Sequence, residues 1–138
     1  MIASGLHLGG LLSLLLGLFH CFFPRIFAWE QEFKRLSPRS ARVLHTIHLF
    51  LIPFFFFFSY AAFFHTAELA GRSPLGLTLA TFYAAFWLVR GVWQLAYFRP
   101  PTPAPSTRFV LLHRVLTGVF FAMAAAFALP MAGQWLRL

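Results

Sequence analysis

Along the chain one pattern occurs four times: a long apolar run, then a short polar break. A helix needs about 20 apolar residues to cross the hydrocarbon core of a bilayer. The runs predict spans at about 2–23, 43–66, 75–98 and 109–129. The breaks carry helix-end signals. Ser37-Pro38 and Ser73-Pro74 each place a capping hydroxyl before a proline at the first helical position. Pro24 is expected to end the first span. Pro100, Pro101, Pro103 and Pro105 remove backbone donors and predict an extended linker over 99–107. The first run has no Lys or Arg before Arg25 and no small-x-small cleavage site behind it. It therefore reads as a retained span and not as a signal peptide.

Between the first two spans the pattern changes. Ile26, Phe27, Trp29, Phe33 and Leu36 alternate with Arg25, Glu30, Glu32, Lys34 and Arg35. This predicts a short amphipathic helix in the membrane interface, with Trp29 at headgroup depth. The expected fold is all-α: an integral membrane four-helix bundle of up-down topology, with residues 1–138 as one transmembrane domain.

Composition agrees. Hydrophobic residues make up 60% of the chain and charged ones 10%, against roughly 25% charged in a soluble domain. Mean hydropathy is +0.77. The net charge of +8 does not point to nucleic acid, because the basic residues flank apolar runs instead of forming a patch on a soluble fold. Their expected partners are anionic lipids at the cytoplasmic face. Nine basic residues border the first and third loops: Arg25, Lys34, Arg35, Arg39, Arg42, Arg90, Arg99, Arg108 and Arg114. Only Arg72 and Arg137 lie on the other side. The positive-inside rule then puts both termini outside. Arg-rich, Lys-poor usage suits a bacterial cytoplasmic membrane. Cys21 is the only cysteine, so no intramolecular disulfide can form.

Helical periodicity sorts the spans into faces. Gly5, Gly9, Ser13, Gly17 and Cys21 form a small-residue stripe on the first span, and Gly118, Ala122 and Ala126 form one on the fourth. Such stripes let helices approach closely in lipid. The second span is mostly phenylalanine. Its small and polar residues, Ala41, His45, His48, Ser59, Ala62 and Thr66, share one face, which leaves the rest to lipid. On the third span Tyr83, Trp87, Arg90, Gln94 and Tyr97 fall within about 80° of one another.

Taken together, His20, His45, His48, Arg90, Gln94, His113 and Arg114 form one polar layer at the inner leaflet, which Glu30 and Glu32 reach from below. Ionisable groups inside a span are costly and mark functional sites by default. A purely structural layer, with Arg90 snorkelling to the interface, is the competing explanation. A second polar set, His7, His65, Glu68 and Arg72, reads as a solvated rim at the opposite end, with Glu68 and Arg72 at ion-pair spacing.

Three readings fit the layer. In the first, His20, His48, Trp87, Arg90, Gln94 and Tyr97 hold the head of an amphiphile, a lipid or a quinone. In the second, the chain is an accessory subunit that meets another membrane protein, or itself, through its small-residue stripes. In the third, two or more of His20, His45, His48 and His113 bind haem or a metal ion. His45-x-x-His48 is a weak metal signal, and the spans hold no carboxylate ligands for a di-iron centre. Phosphate loops, nucleophile elbows and Cys-x-x-Cys pairs are absent, as is aspartate. A non-catalytic protein is the leading expectation, and the lack of aspartate and of a midplane carboxylate argues against transport by a carboxylate relay.

Short motifs carry a resemblance: His20 with Phe23-Pro24 and Trp29; Phe86-Trp87-x-x-Arg90-x-x-x-Gln94-x-x-x-Phe98; and His113-x-x-x-Thr117. The chain is similar in these to small bacterial four-span integral membrane proteins of no assigned activity. The resemblance implies the fold and no function. The polyproline linker is not part of that pattern.

Overall fold

The structure, a computed structural model, describes residues 1–98 and 106–135, and of Arg72 and Trp135 only the backbone. The linker expected at 99–107 and the Glu68–Arg72 pair thus fall wholly or partly outside the described residues. Among the described residues the α-helices are α1 (Ile2–Ile26), α2 (Trp29–Phe33), α3 (Pro38–Phe64), α4 (Pro74–Ala96) and α5 (Thr107–Trp135). All but α2 are long and apolar enough to cross a membrane, with mean hydropathies of 1.8, 2.0, 1.4 and 2.0. Only about a third of each span is buried by the protein itself. Phe50, Val89 and Leu75 are 71%, 67% and 69% exposed. A surface this apolar belongs against lipid, and the chain is an all-α four-helix membrane bundle.

Helix ends follow local chemistry. Ser37 Oγ accepts from the Ser40 amide at 3.1 Å and caps α3. Ser73 Oγ accepts from the Gly76 amide at 3.0 Å and caps α4. Ser106 Oγ accepts from the Phe109 amide, so α5 starts at Thr107, two residues earlier than its apolar run suggests. The interfacial helix is shorter than the alternating pattern. Arg25 and Ile26 belong to α1, and only Trp29–Phe33 forms α2.

The helices make a ring in the order α3, α1, α5, α4. Three of its seams are tight: α1 against α3, α1 against α5, and α4 against α5. A methyl group at Gly10 would sit 2.8 Å from the Ala62 Cβ, so α1 and α3 meet there at glycine-only distance. The fourth seam differs. The backbones of α3 and α4 hardly approach each other, although they are consecutive spans. Large rings bridge the gap instead. Phe58 meets Tyr83 at 4.2 Å between centroids and Phe86 at 5.4 Å, and Phe55 stacks on Trp87 at 5.5 Å.

This corrects two expectations about faces. Phe55 and Phe58 are core residues, 3% and 0% exposed, so the phenylalanine run is shared between core and lipid. On α5 Phe120, Met123 and Phe127 point inward, and of the expected stripe only Ala126 is buried, against Gly9 of α1; Gly118 and Ala122 are exposed, and among the described residues no neighbour lies near Gly118. A wide aromatic seam demands volume from the facing helix, and small residues cannot fill it. Cys21 is likewise exposed.

A wide turn at Glu68–Arg72 joins α3 to α4. Gly76, in the first turn of α4, packs directly on the Glu68 carbonyl, where an added Cβ would overlap backbone. Backbone cannot swing aside as a side chain can. Gly76→Ala is therefore expected to lower stability by about 1–3 kcal/mol, read as a lower thermal unfolding midpoint in detergent. An unchanged midpoint would show that the turn has room to yield.

Candidate functional site

The site is built on a gap in one helix. α1 runs through Pro24, where a stop was expected, and ends at Ile26. Proline has no amide hydrogen, so the carbonyl four residues earlier loses its helical partner. That carbonyl belongs to His20. His48 on α3 replaces the missing donor: its Nε2 lies 2.9 Å from the His20 carbonyl oxygen. A carbonyl only accepts, so Nε2 of His48 carries the hydrogen and Nδ1 keeps its lone pair when the ring is neutral. The His20 ring is held by the same logic. Its Nδ1 donates to the Leu16 carbonyl at 2.8 Å, which leaves Nε2 as the lone-pair nitrogen. The ring is buried between Phe23, at 4.0 Å, and Phe55, at 4.6 Å between centroids.

α2 closes this end. Ala28 adopts a left-handed conformation, φ 47°, and its carbonyl accepts from the Gln31 and Glu32 amides. This reversal brings Trp29 back under the bundle, edge-on to His48 at 4.6 Å. Glu30 and Glu32 do not rise into the polar layer. They pair locally with Lys34 at 3.6 Å and Arg35 at 3.8 Å, because their side chains leave α2 on its exposed side.

From the other half of the ring comes α4. Trp87 is 1% exposed and stacks parallel to Phe120 of α5 at 5.7 Å. Arg90 lies one turn nearer the α2 end, with its guanidinium over the Phe120 ring at 4.4 Å. Its Nη1 donates to Gln94 Oε1 at 2.8 Å. Gln94 then turns its amide nitrogen to His113 Nδ1 on α5, 3.0 Å away. That nitrogen of His113 must accept, so its proton is on Nε2. Arg90, Gln94 and His113 form one chain in which each polar group fixes the next.

These elements enclose a cavity of about 270 Å³. His20, His48, Trp87 and Arg90 line it, with Trp29, Phe23, Phe55, Phe86 and Phe120 among its walls. Gln94 stands behind Arg90, 4% exposed. Tyr97 does not join the cavity: it is 70% exposed and stacks on Trp93 at 4.9 Å. His45 is exposed and borders a separate surface hollow with Pro24, Glu30 and Lys34. Among the other groups of the layer, His113 contacts Gln94 and not the cavity. Phe120 and Phe23 carry no polar signal and were not among the expected site residues. The spacing of Pro24 four residues after His20 was the one sequence feature that could have linked His20 to a donor on another helix.

Among the described residues, Tyr83 Oη and Trp87 Nε1 are buried without a hydrogen-bond partner. Metal ligation fits the site less well. His20 and His48 stack with planes 18° apart and centroids at 5.5 Å, so their in-plane lone pairs do not converge on a point between the faces. Among the described residues no three His, Cys or Glu side chains gather closely enough to hold a metal ion. At the opposite end His7 Nε2 meets Thr66 Oγ1 at 3.1 Å, which ties α1 to the segment just after α3. The chain matches no family model, no curated protein and no solved structure.

The carbonyl lock has a sharp test. His48→Phe leaves the His20 carbonyl without a donor and should cost about 1–3 kcal/mol. Pro24→Ala restores an amide at position 24, so in that background His48→Phe should cost far less. Equal costs in both backgrounds, measured as a double-mutant cycle by reversible unfolding, would show that the bond does not stabilise the fold. Ala28→Gly removes the penalty of the left-handed conformation, about 1–2 kcal/mol, and should raise stability. A loss of stability would place the strain elsewhere.

Proposed function

We propose that this chain is a non-catalytic multi-pass membrane protein that holds the head of an amphiphile, a lipid or a quinone, in the cavity between α1, α3, α4 and α5. One observation carries the reading. A mostly aromatic cavity at one end of the bundle presents a few polar groups, Arg90, His20 and His48. Ligand sites have this composition: apolar walls with a small number of placed polar groups. Among the described residues, none around the cavity supplies a nucleophile with its base or a carboxylate, so the reading is binding without chemistry.

The protein sits, on this proposal, in a bacterial cytoplasmic membrane with both termini outside, and the basic α2 end meets anionic lipids on the cytoplasmic side. The exposed Gly118 and Ala122 face offers a second helix a place to pack, which suits an accessory subunit or self-association. A haem or metal role draws on the nearness of His20 and His48, and their parallel stacking speaks against it.

Three measurements separate these readings. A brominated single-chain amphiphile is expected to quench tryptophan fluorescence saturably in the purified protein and non-saturably in Arg90→Leu. The same non-saturable quenching in both would leave Arg90 as an interfacial anchor. The absorption spectrum of the purified protein is expected to lack a Soret band, and a band lost in His48→Ala would overturn the non-catalytic reading. Ser40→Cys, in a Cys21→Ser background, is expected to be labelled only from the cytoplasmic side.

A further inference from the structure

We infer that the head bound in this cavity is an anion, a phosphate or carboxylate, held by Arg90; this deepens the amphiphile reading and rests on it.

The chain has three acidic side chains in all. Glu30 is taken by Lys34 and Glu32 by Arg35, both at the exposed surface of the α2 segment. Glu68 lies at the opposite end of the bundle, in the turn before α4. No carboxylate side chain is therefore left to neutralise Arg90. Yet Arg90 is half-buried and lines the cavity. Its surroundings are one neutral amide, the Gln94 oxygen, and two aromatic faces, Phe120 at 4.4 Å and Phe98 at 5.6 Å. These orient a guanidinium without cancelling its charge. A cation in a low-dielectric wall is costly unless it is paired.

The guanidinium has five donors in a fixed fork, suited to two oxygens of a carboxylate or phosphate at once. Among the described residues it makes one side-chain hydrogen bond, through Nη1 to Gln94. The Gln94–His113 chain behind it keeps the fork from turning, so the remaining donors are preorganised.

The path of the tail follows from the same residue. Arg90 and Phe86 line both the cavity and a groove on the outer, lipid-facing side of α4 formed with Phe82, Ala85, Val89 and Trp93. A head at Arg90 thus leaves its acyl chain a way past Phe86 along α4 into lipid, without the chain entering the bundle. A cavity of about 270 Å³ suits a head and not a whole lipid.

The test uses the full chain, purified in neutral detergent, with radiolabelled dodecyl phosphate and dodecanoate as probes in a scintillation-proximity assay. Saturable binding of one or both is expected, with dodecanol and a short-chain quinone failing to compete. Arg90→Gln should weaken binding at least tenfold, while Arg90→Lys retains part of it. Preference for phosphate over carboxylate would point to a phospholipid head, the reverse to a fatty acid, and either supports the anion. If dodecanol or the quinone competes as well as the anions do, the anionic inference fails and amphiphile binding stands. If no probe binds saturably, both fail. The competition on the unaltered protein decides the matter even if Arg90→Gln does not fold.

Discussion

Inside a bilayer no water is at hand for a backbone carbonyl that has lost its helical partner, so the protein itself must supply a donor. Pro24 leaves the His20 carbonyl in this position, and the Nε2 hydrogen of His48 meets it. Much at that end of the bundle depends on this one bond. It fixes the register of α1 on α3 and sets the tautomer of His48. It also places that ring where Trp29 and Phe23 pack against it. The floor of the cavity is thereby built from a helix end, a proline and an imidazole.

The roof and far wall have a different origin. Three seams of the ring close through small residues or close side-chain packing, and the fourth, between α3 and α4, is spanned by rings. Rings hold two helices apart and fill the space between them only as far as they reach. At the α2 end the rings line the space between the helices without filling it, and what is left becomes the cavity. The phenylalanine run of α3 therefore has two roles. Phe55 and Phe58 set the width of the seam, and Phe54 and Phe57 present its outer face to lipid.

Arg90 is where these two constructions meet. Its charge has no carboxylate side chain to answer it, and its position is set from behind by Gln94 and His113. A guanidinium held this way is a rigid donor set at the border of cavity and lipid. Under the proposed function, binding an amphiphile's head would use this donor set alone.

Much of this was legible in the residues alone. Four apolar runs of spanning length and two Ser-Pro starts determine the helices, because length and capping are local properties. The line Trp87, Arg90, Gln94 follows from helical periodicity, and so does the inward side of His20. What periodicity cannot give is which faces meet. It places Tyr97 on the same line, yet the helix is ending there and its ring lies outside the bundle. It groups Gly118, Ala122 and Ala126 in one packing stripe, yet only Ala126 is buried, and Phe120, Met123 and Phe127 fill the inner side of α5. It lets Glu30 and Glu32 reach the polar layer, yet the left-handed turn at Ala28 sends them outward. Pairings between distant segments, such as His48 with the His20 carbonyl, depend on how wide each seam is. Seam width is set by the volumes of side chains from two helices at once, and only the tertiary structure brings those together.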